Sequence, residues 1–437
     1  MSGQNYFHSV TLDREKCHGC INCVKRCPTE AIRVRGGKAE ITTARCIDCG
    51  ECIRICPHHA KKASFDPLSI LERYRYTVAL PAPALYGQFN NLEDPNLLLA
   101  ALLRMGFDRI FEVARAAELV SDATRKYMQR PDLIKPVISS ACPAVLRLIR
   151  VRFPELIPNI LPLHAPMEIA ARMAKTEAAR ETGLPPQEIS AIFISPCPAK
   201  VTASKMLLGG GKSAVDGVLA IREVYPLLAS LMSKVESTEL TQAGRMGISW
   251  GSSGGEAAAV LRERYLAADG IENVISVLEN LEDEKFYGLD FVELNACPGG
   301  CVGGVLNVEN PYIAKVKLKQ IRRYSPVSCN RLPDEDLQPY RWEEPLSYEP
   351  VLELDSNLSV AMEKLQRMRK IESRLYGLDC GSCGAPSCKA LAEDVVRGIA
   401  SEEACIFKLR DEVHTLAQGL NRLAQYMPQA PAKEEEP

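Results

Sequence analysis

Between residue 77 and about residue 325, short apolar runs alternate with longer stretches in which apolar side chains recur every three or four positions. The runs TVALPAPAL, AIFISP, MGISW and FVELNA are typical of buried strands, whereas NLLLAALLRMGF is typical of a helix with one apolar face. This alternation predicts an α/β domain with a mostly parallel sheet. The preceding stretch, FDPLSILERYRY, predicts a short connector.

The C-terminal part of the chain has a different pattern. Residues 326–357 are rich in Pro, Asp and Glu, which predicts an irregular linker, and a helix is expected over about 359–375. Six apolar residues then recur at spacings of three and four: Ile406, Leu409, Val413, Leu416, Leu420 and Leu423. This seam of about two and a half heptads predicts either a coiled coil, in a homodimer or with a helical partner, or a helix that packs on its own domain. The tail at 427–437 is expected to be disordered.

Composition and charge narrow the function classes. The hydrophobic content of 46% is that of a globular protein, and the net charge of −2 argues against a nucleic-acid or membrane surface. The chain contains no apolar run long enough for a membrane span, and MSGQNYFHSVTLDREKC lacks the apolar core of a signal peptide. Seventeen cysteines in such a chain predict a cytoplasmic metalloprotein rather than a disulfide-linked one.

The N-terminal segment contains one cysteine pattern twice. CHGCINCVKRCP and CIDCGECIRICP both follow C-x2-C-x2-C-x3-C-P, the run of bacterial dicluster ferredoxins, in which the fourth cysteine ligates the other cluster. The predicted ligands are Cys17, Cys20, Cys23 and Cys56 for one 4Fe–4S cluster, and Cys46, Cys49, Cys52 and Cys27 for the other. The alternative is a pair of zinc sites. Pro28 and Pro57 follow the exchanged ligands, as the ferredoxin pattern requires, and His58 and His59 are expected to tune or shield the adjacent cluster.

Four scattered cysteines form a second candidate site. Cys142 lies in SSACPAV, Cys197 in ISPCPAK, and Cys297 with Cys301 in ELNACPGGCVGG. Each of the three loops follows a strand-like run, and an α/β sheet gathers such loops at one edge. The sequence therefore predicts a complete four-thiolate cluster site in the middle domain.

These loops resemble the three signature loops of the FeFe hydrogenases, whose patterns are TSC-C-P, M-P-C-x-x-K and E-x-M-x-C-x-G-G-C. FDRIFEVARAAEL and SSGGEAAAVLRE match as well, so the resemblance spans about residues 75–325. It implies that the four cysteines hold the 4Fe–4S half of an H-cluster. Cys301 would also bridge to a di-iron half that carries CO, cyanide and an azadithiolate amine. Lys200 matches the lysine that donates to a cyanide, with a solvated surface charge as the alternative.

The chain departs from the family at positions around this site. Productive members have a proton-transferring cysteine where this chain has Ala141, and methionines where it has Ser195 and Asn295. Ala165 stands at a family serine, and the acidic proton-path residues have only a loose counterpart in Asp122. Every expected metal ligand is retained while the proton relay is lost. This combination resembles the sensory FeFe hydrogenases, which bind hydrogen and turn over slowly.

The C-terminal cysteines complete the predicted set of clusters. Cys380, Cys383, Cys388 and Cys405 are spaced as C-x2-C-x4-C-x16-C and resemble a small 4Fe–4S domain, with zinc as the alternative. KALAEDVVRGIA predicts a helix between the last two of these ligands, and Cys329 fits no cluster.

The resemblance implies an α+β multidomain protein with three folded parts. A dicluster ferredoxin domain is expected over 1–70, an α/β H-cluster domain over 75–330, and a helical 4Fe–4S domain with an extension over 358–426. The expected function is slow, reversible conversion of hydrogen to protons and electrons. The expected partners are a ferredoxin-like carrier or a signalling kinase or phosphatase, and the hydrogenase maturation proteins. The rivals are a catalytic hydrogenase with another proton path and a non-enzymatic iron–sulfur assembly protein.

Overall fold

The computed structural model describes residues 7–90, 92–333 and 336–426. In these ranges the strands are β1 (Val10–Leu12), β2 (Ile32–Arg35), β3 (Lys38–Ile41), β4 (Lys61–Ala63), β5 (Tyr76–Pro81), β6 (Arg109–Ile110), β7 (Val137–Ile138), β8 (Ile189–Ser195), β9 (Gly217–Ala220), β10 (Tyr265–Asp269) and β11 (Phe291–Asn295). The α-helices are α1 (Asn22–Lys25), α2 (Glu51–Arg54), α3 (Pro95–Met105), α4 (Val113–Tyr127), α5 (Pro143–Arg152), α6 (Pro166–Thr182), α7 (Pro198–Lys205), α8 (Ile221–Met232), α9 (Arg245–Ser249), α10 (Gly255–Ala259), α11 (Ile271–Glu282), α12 (Pro311–Arg322), α13 (Leu358–Arg374), α14 (Cys388–Val396) and α15 (Ile406–Ala424).

The chain forms two compact units. The first contains residues 41–351 together with the segment before Cys17, and the second contains Cys17–Glu40 together with the chain from Leu352 onward. The predicted ferredoxin segment is therefore divided between the units, and the boundaries 1–70, 75–330 and 358–426 stay a prediction. The predicted disorder of 427–437 lies outside the described residues.

The first unit is built on a four-stranded parallel sheet in the order β6-β5-β8-β9. Val78 and Leu80 of β5 face an apolar layer formed with α4 and α6, whereas Ala79 faces a layer formed with α3 and α8. Both faces of the sheet are thus covered. Strands buried on both faces have continuous apolar sequences, which is why TVALP and AIFIS were recognisable.

A second parallel sheet, in the order β10-β11-β7, packs against α5 and α11. The prediction of parallel pairing is confirmed, with two sheets in place of one. The prediction of a strand at MGISW is wrong, because these residues form most of α9. Gly247 of α9 lies against the main chain of α4, where a Cβ would come within 2.0 Å of the Ala114 carbonyl oxygen. A short apolar run does not distinguish a buried strand from a buried helix.

The smaller elements follow the sequence pattern closely. In the first unit β1 pairs with β4 in antiparallel register, and the connector before β5 is the 3-10 helix Leu68–Arg73. In the second unit β2 and β3 are joined by Gly36 and Gly37, both at positive φ, and α13 packs on α14. Apart from the 3-10 helix Gln338–Tyr340, the described residues of 326–357 form no helix or regular strand, as predicted.

Within the described residues, no helix is both long enough and apolar enough to cross a membrane.

Candidate metal centre

The four scattered cysteines all follow the carboxyl ends of parallel strands. Cys142 comes after β7 and is the N-cap residue of α5, and Cys197 comes after β8 and is the N-cap residue of α7. Cys297 and Cys301 follow β11. Gly300 between them has φ +91°, and a Cβ there would lie 2.4 Å from the Ser253 nitrogen, so this turn requires glycine.

The thiols of these cysteines lie close enough to influence one another electrostatically. Burial raises the pKa of Cys197 to about 11, nearby charge on Cys301 and Cys142 adds to the effect, and Lys200 opposes it. Burial also raises the pKa of Cys297 and of Cys301. Because metal binding replaces the thiol proton, a convergent set of four half-buried thiols fits a metal centre better than a set of free thiols. It is the donor set of a 4Fe–4S cluster.

Lys200 places its ammonium group inside this site. Its Nζ lies 3.7 Å from Cys301 Sγ. Burial works to lower the pKa of Lys200, but the charges of the four surrounding cysteines outweigh it and raise that pKa. The lysine therefore supplies a permanent positive charge that fits an anionic group next to Cys301.

A cavity adjoins Cys301, and three of the positions predicted to surround the cluster line it. Ala141, Lys200 and Asn295 line this cavity together with Cys301, and Phe193 is among the apolar residues of its wall. The methyl group of Ala141 faces the space where a thiol would be expected in a productive relative.

Two other predicted positions, Ser195 and Ala165, lie behind the residues that line the site. Ser195 lies behind the Cys197 loop, where its hydroxyl donates to the Cys197 carbonyl at 3.0 Å and accepts from the Cys197 nitrogen at 3.3 Å. Ala165 is the N-cap residue of α6. The next two residues, Pro166 and Met167, line the cavity, whereas Ala165 is not among its lining residues.

Asp122 is not among the residues that line the cavity. Burial tends to raise its pKa, but hydrogen bonds from the Leu332 nitrogen and from Arg125 lower it overall. It is therefore an ionised residue held by its own neighbours, without the environment of a proton-transfer group.

A buried pair of carboxyl groups in the cavity wall was missed by the sequence reasoning. Glu256 and Glu293 both line the cavity. Glu293 accepts hydrogen bonds from the nitrogens of Gly254 and Ala257 and from the Asn295 amide. The hydroxyl of Ser139 donates to Glu256 at 2.6 and 2.7 Å. The signal was a single acidic residue within the Gly- and Ala-rich segment SSGGEAAAV.

The two carboxyl groups have different roles in this pair. Burial, and then repulsion by Glu293, raise the pKa of Glu256 to about 8. Burial also raises the pKa of Glu293, but its three N–H donors favour its ionised form. Glu256 therefore keeps its proton near neutral pH. Ser139 also accepts from the Ala141 nitrogen at 3.1 Å, so this proton lies close to the position of the missing thiol.

The second ferredoxin repeat is anchored beside the four-cysteine site. Asp48 and Arg147 form a buried ion pair at 3.0 Å, and Asp48 also accepts from Thr202 at 2.8 Å. Ile47 and Cys49 pack in the same apolar cluster as Cys142 and Cys197. The segment from Cys46 to Cys52, which ends in helix α2, is thereby fixed next to the candidate centre.

The fourth cysteines of the two ferredoxin runs have matching environments. The Ala31 nitrogen donates to Cys27 Sγ at 3.2 Å, and the Ala60 nitrogen donates to Cys56 Sγ at 3.3 Å, in each case four residues later. Such N–H donors stabilise a thiolate. The exchanged ligand sets stay a prediction, as does a role for His58 and His59, whose side chains are exposed.

The C-terminal cysteines form a further group in the second unit. Burial, together with charge on Cys380 and Cys405, raises the pKa of Cys383, and Cys388 packs in the same apolar cluster as Cys383 and Cys405. Cys329 is exposed and belongs to the first unit.

Within the second unit, the segment that follows the first ferredoxin repeat packs against the segment that contains the C-terminal cysteines. The Val34 nitrogen donates to the Gly384 carbonyl at 2.9 Å, and a Cβ on Gly384 would lie 2.0 Å from the Val34 oxygen. Arg33 forms a buried ion pair with Asp394 at 2.8 Å. The two cysteine groups of this unit are thus held together by close main-chain packing and a buried charge pair.

Comparison with known families assigns each of these cysteine groups. Residues 75–267 and 262–305 match the model of the iron-only hydrogenase large subunit, C-terminal domain. The chain belongs to the iron-only hydrogenase family. Residues 9–57 match a 4Fe–4S dicluster domain, and residues 375–407 match a putative Fe–S cluster domain. This hydrogenase-like chain is therefore an iron–sulfur protein.

Two curated hydrogenases are similar over most of their length. Iron hydrogenase 1 of Clostridium pasteurianum is 25% identical over 393 residues, which cover 72% of this chain and 68% of that protein. The periplasmic Fe hydrogenase large subunit of Nitratidesulfovibrio vulgaris is 27% identical over 364 residues, covering 68% and 86%.

Other relatives have a different role. The probable cytosolic Fe–S cluster assembly factor oxy-4 of Caenorhabditis elegans is 26% identical over 223 residues, which cover 40% of this chain and 49% of that protein.

Among solved structures, a variant of FeFe-hydrogenase HydA1 from Chlamydomonas reinhardtii matches with a TM-score of 0.50 at 16% identity, covering 65% of this chain and 98% of that one. This structural match concerns the fold alone.

Proposed function

We propose that this protein is a sensory FeFe hydrogenase, which binds molecular hydrogen and converts it slowly and reversibly to protons and electrons. The observation that carries the proposal is the cavity beside Cys301. It brings a lysine ammonium and a protonated carboxyl group next to four convergent thiols. A protein that only carried or stored an iron–sulfur cluster would have no need of a buried titratable cavity beside that cluster.

The residues present fit an H-cluster. When bound, that group would supply redox-active iron for the reversible oxidation of hydrogen. Cys142, Cys197, Cys297 and Cys301 would hold its 4Fe–4S half. Lys200 would donate a charge-assisted hydrogen bond to an anionic ligand near Cys301.

The chain's own residues would handle the proton. Glu256 holds a proton at the cavity wall with a pKa close to the working pH, which suits a general acid or base. Asn295 donates to Glu293 and so orients the second carboxyl group. The hydrogen bonds of this pair run to Ser139, to Asn295 and to the local main chain. A carboxyl pair whose hydrogen bonds all run to neighbouring protein groups favours slow exchange of its proton with solvent.

Slow turnover is the reason for proposing a sensory role. Loss of one general acid or base typically costs about 10²–10⁴-fold in rate, and position 141 lacks the family's thiol. A sensor reports occupancy of its site and needs little flux. We also propose a cytoplasmic location, an electron route through the ferredoxin clusters, and a ferredoxin-like carrier or a kinase or phosphatase as the receiver.

Infrared spectroscopy tests the proposal directly. After maturation with a synthetic di-iron cofactor, bands of CO and cyanide are expected, and hydrogen should change them. Absence of these bands would favour an assembly role, as the similarity to oxy-4 suggests. Lys200→Gln should shift the cyanide bands. Lys205→Gln, on the same helix α7 but partly exposed beside Asp66, is the matched control and should not.

A further inference from the structure

The C-terminal helix α15 presents its apolar seam to solvent. From Leu409 to Tyr426 every residue is exposed, and the six seam residues Ile406 to Leu423 are between 47% and 67% exposed. Within the described part of the chain the helix therefore does not use this seam to pack on its own unit. This observation rules out one of the two roles expected from the sequence.

The shape of the seam indicates the kind of partner. A helix that packs on a globular surface has an apolar stripe at least about 100° wide, whereas a strict two-in-seven seam is the narrower stripe of a coiled coil. Here the positions that flank the seam include Arg410, Glu412, Ala417 and Gly419, none of which widens it with a large apolar side chain.

The residue types in the seam also indicate the number and orientation of the helices. With Ile406 at position a, the a positions are Ile, Val and Leu, and every d position is Leu. β-branched residues at a with leucine at d favour two parallel strands. In a parallel, in-register pair, Glu412 would face Ala417 of the second chain, so no like charges meet across the seam.

We propose that α15 pairs with α15 of a second copy of this chain to form a parallel, in-register two-stranded coiled coil. The partner is a second copy because the same seam, contributed once by each chain, would form both sides of the a and d layers of the coil. The coil starts directly after Cys405, which is the N-cap residue of α15. A dimer would therefore bring the two C-terminal cysteine groups next to each other. This inference is independent of the proposed reaction.

Light scattering on the iron-loaded full-length protein, over a wide concentration range, is expected to show a dimer. Leu416→Glu and Leu416→Lys should each yield monomers with unchanged iron content per chain. Gln418→Glu, on the polar side of the same helix, is the matched control and should remain dimeric.

Mixing the variants tests the orientation. Position 416 faces its own copy only in a parallel, in-register pair, so a mixture of the L416E and L416K variants should restore a dimer. In an antiparallel pair, a positions of one chain face d positions of the other. A mixture of the V413K and L416E variants, and not the L416E and L416K mixture, would then restore the dimer. A wild-type monomer, a dimer unaffected by the Leu416 variants, or rescue only by the V413K mixture would each overturn the proposal. Monomers that bind only a foreign helical protein would also overturn it.

Discussion

Replacing Glu256 by glutamine tests the origin of the proton in the cavity. The amide has nearly the same shape as the protonated carboxyl group but cannot release a proton. Because Glu256 holds its proton near neutral pH, Glu256→Gln should leave the fold and the metal content intact at pH 6–7. It should nevertheless remove a titratable group that lines the same cavity as Ala141. We expect hydrogen turnover to fall by about 10²-fold or more.

The size of the pH effect follows from the pKa. A rise from the ordinary value of 4.5 to about 8 corresponds to roughly 5 kcal/mol, at about 1.4 kcal/mol per pH unit. Above pH 4.5 the unfolded chain releases a proton that the folded chain retains, so the free energy of unfolding falls as the pH rises towards 8. About 3 kcal/mol of this stabilisation would be lost by pH 7. Glu256→Gln removes this pH dependence.

The assay combines infrared titration with kinetics. In the wild-type protein the C=O stretch of a protonated carboxylic acid should disappear with a midpoint near pH 8, and in Glu256→Gln this change should be absent. Glu112→Gln is a matched control. Glu112 is also buried with a raised pKa, but it accepts a hydrogen bond from Tyr86 and is not among the residues that line the cavity. That control should alter neither the pH profile of turnover nor the CO and cyanide bands.

Two results would refute the reasoning. If Glu256→Gln kept the carboxylic acid titration near pH 8, the proton would reside on another group. If the variant lost that titration but retained wild-type turnover and its pH profile, Glu256 would be a structural acid with no part in proton transfer.

Three further predictions concern the remaining sites. Ala141→Cys places a thiol with a reference pKa of about 8.5 at the cavity and should raise the rates of both hydrogen oxidation and evolution at equal cofactor occupancy. Unchanged or lower rates would contradict a role of position 141 in limiting proton transfer. Cys142→Ala should abolish binding of the cofactor. Metal analysis should give about eighteen irons per chain, and a deficit of four irons with one zinc would show that the C-terminal site binds zinc. Asp48→Asn breaks the buried pair with Arg147 and should cost about 3–5 kcal/mol of stability, seen as a lower urea midpoint, while the exposed Asp132→Asn should change little.

The grouping of the candidate ligand cysteines could be predicted from the sequence because it depends on local patterns. Strands buried on both faces are apolar throughout, and a cysteine directly after such a strand lies at the carboxyl edge of a parallel sheet. Cys142, Cys197 and Cys297 satisfied this rule with three short motifs. Cluster ligand spacing is equally local, so the ferredoxin repeats and the C-terminal group were recognised without tertiary information.

Contacts between distant segments could not be predicted in the same way. In the sequence Asp48 is only one residue of the run CIDCGEC, although it bonds Arg147 and Thr202 far along the chain. α9 packs against α4 at Gly247, a contact that no window of residues around MGISW contains. The exposure of the α15 seam likewise depends on what surrounds the helix. The heptad spacing alone left two roles open.

The relation between Ala141 and Glu256 shows why the missing thiol does not leave the cavity without a proton donor. Productive relatives are expected to carry a thiol at position 141, with a reference pKa of about 8.5. In this chain a carboxyl group with a pKa of about 8 lies beside Ser139, two residues before Ala141. The two acids are closely matched in strength, but the carboxyl group reaches that strength only through burial next to Glu293. Its proton is therefore available at the same pH but held in a desolvated, hydrogen-bonded pair. Under the proposed function, such a site would keep a proton donor at the cavity while slowing proton exchange with solvent, which is the behaviour that a hydrogen sensor would require.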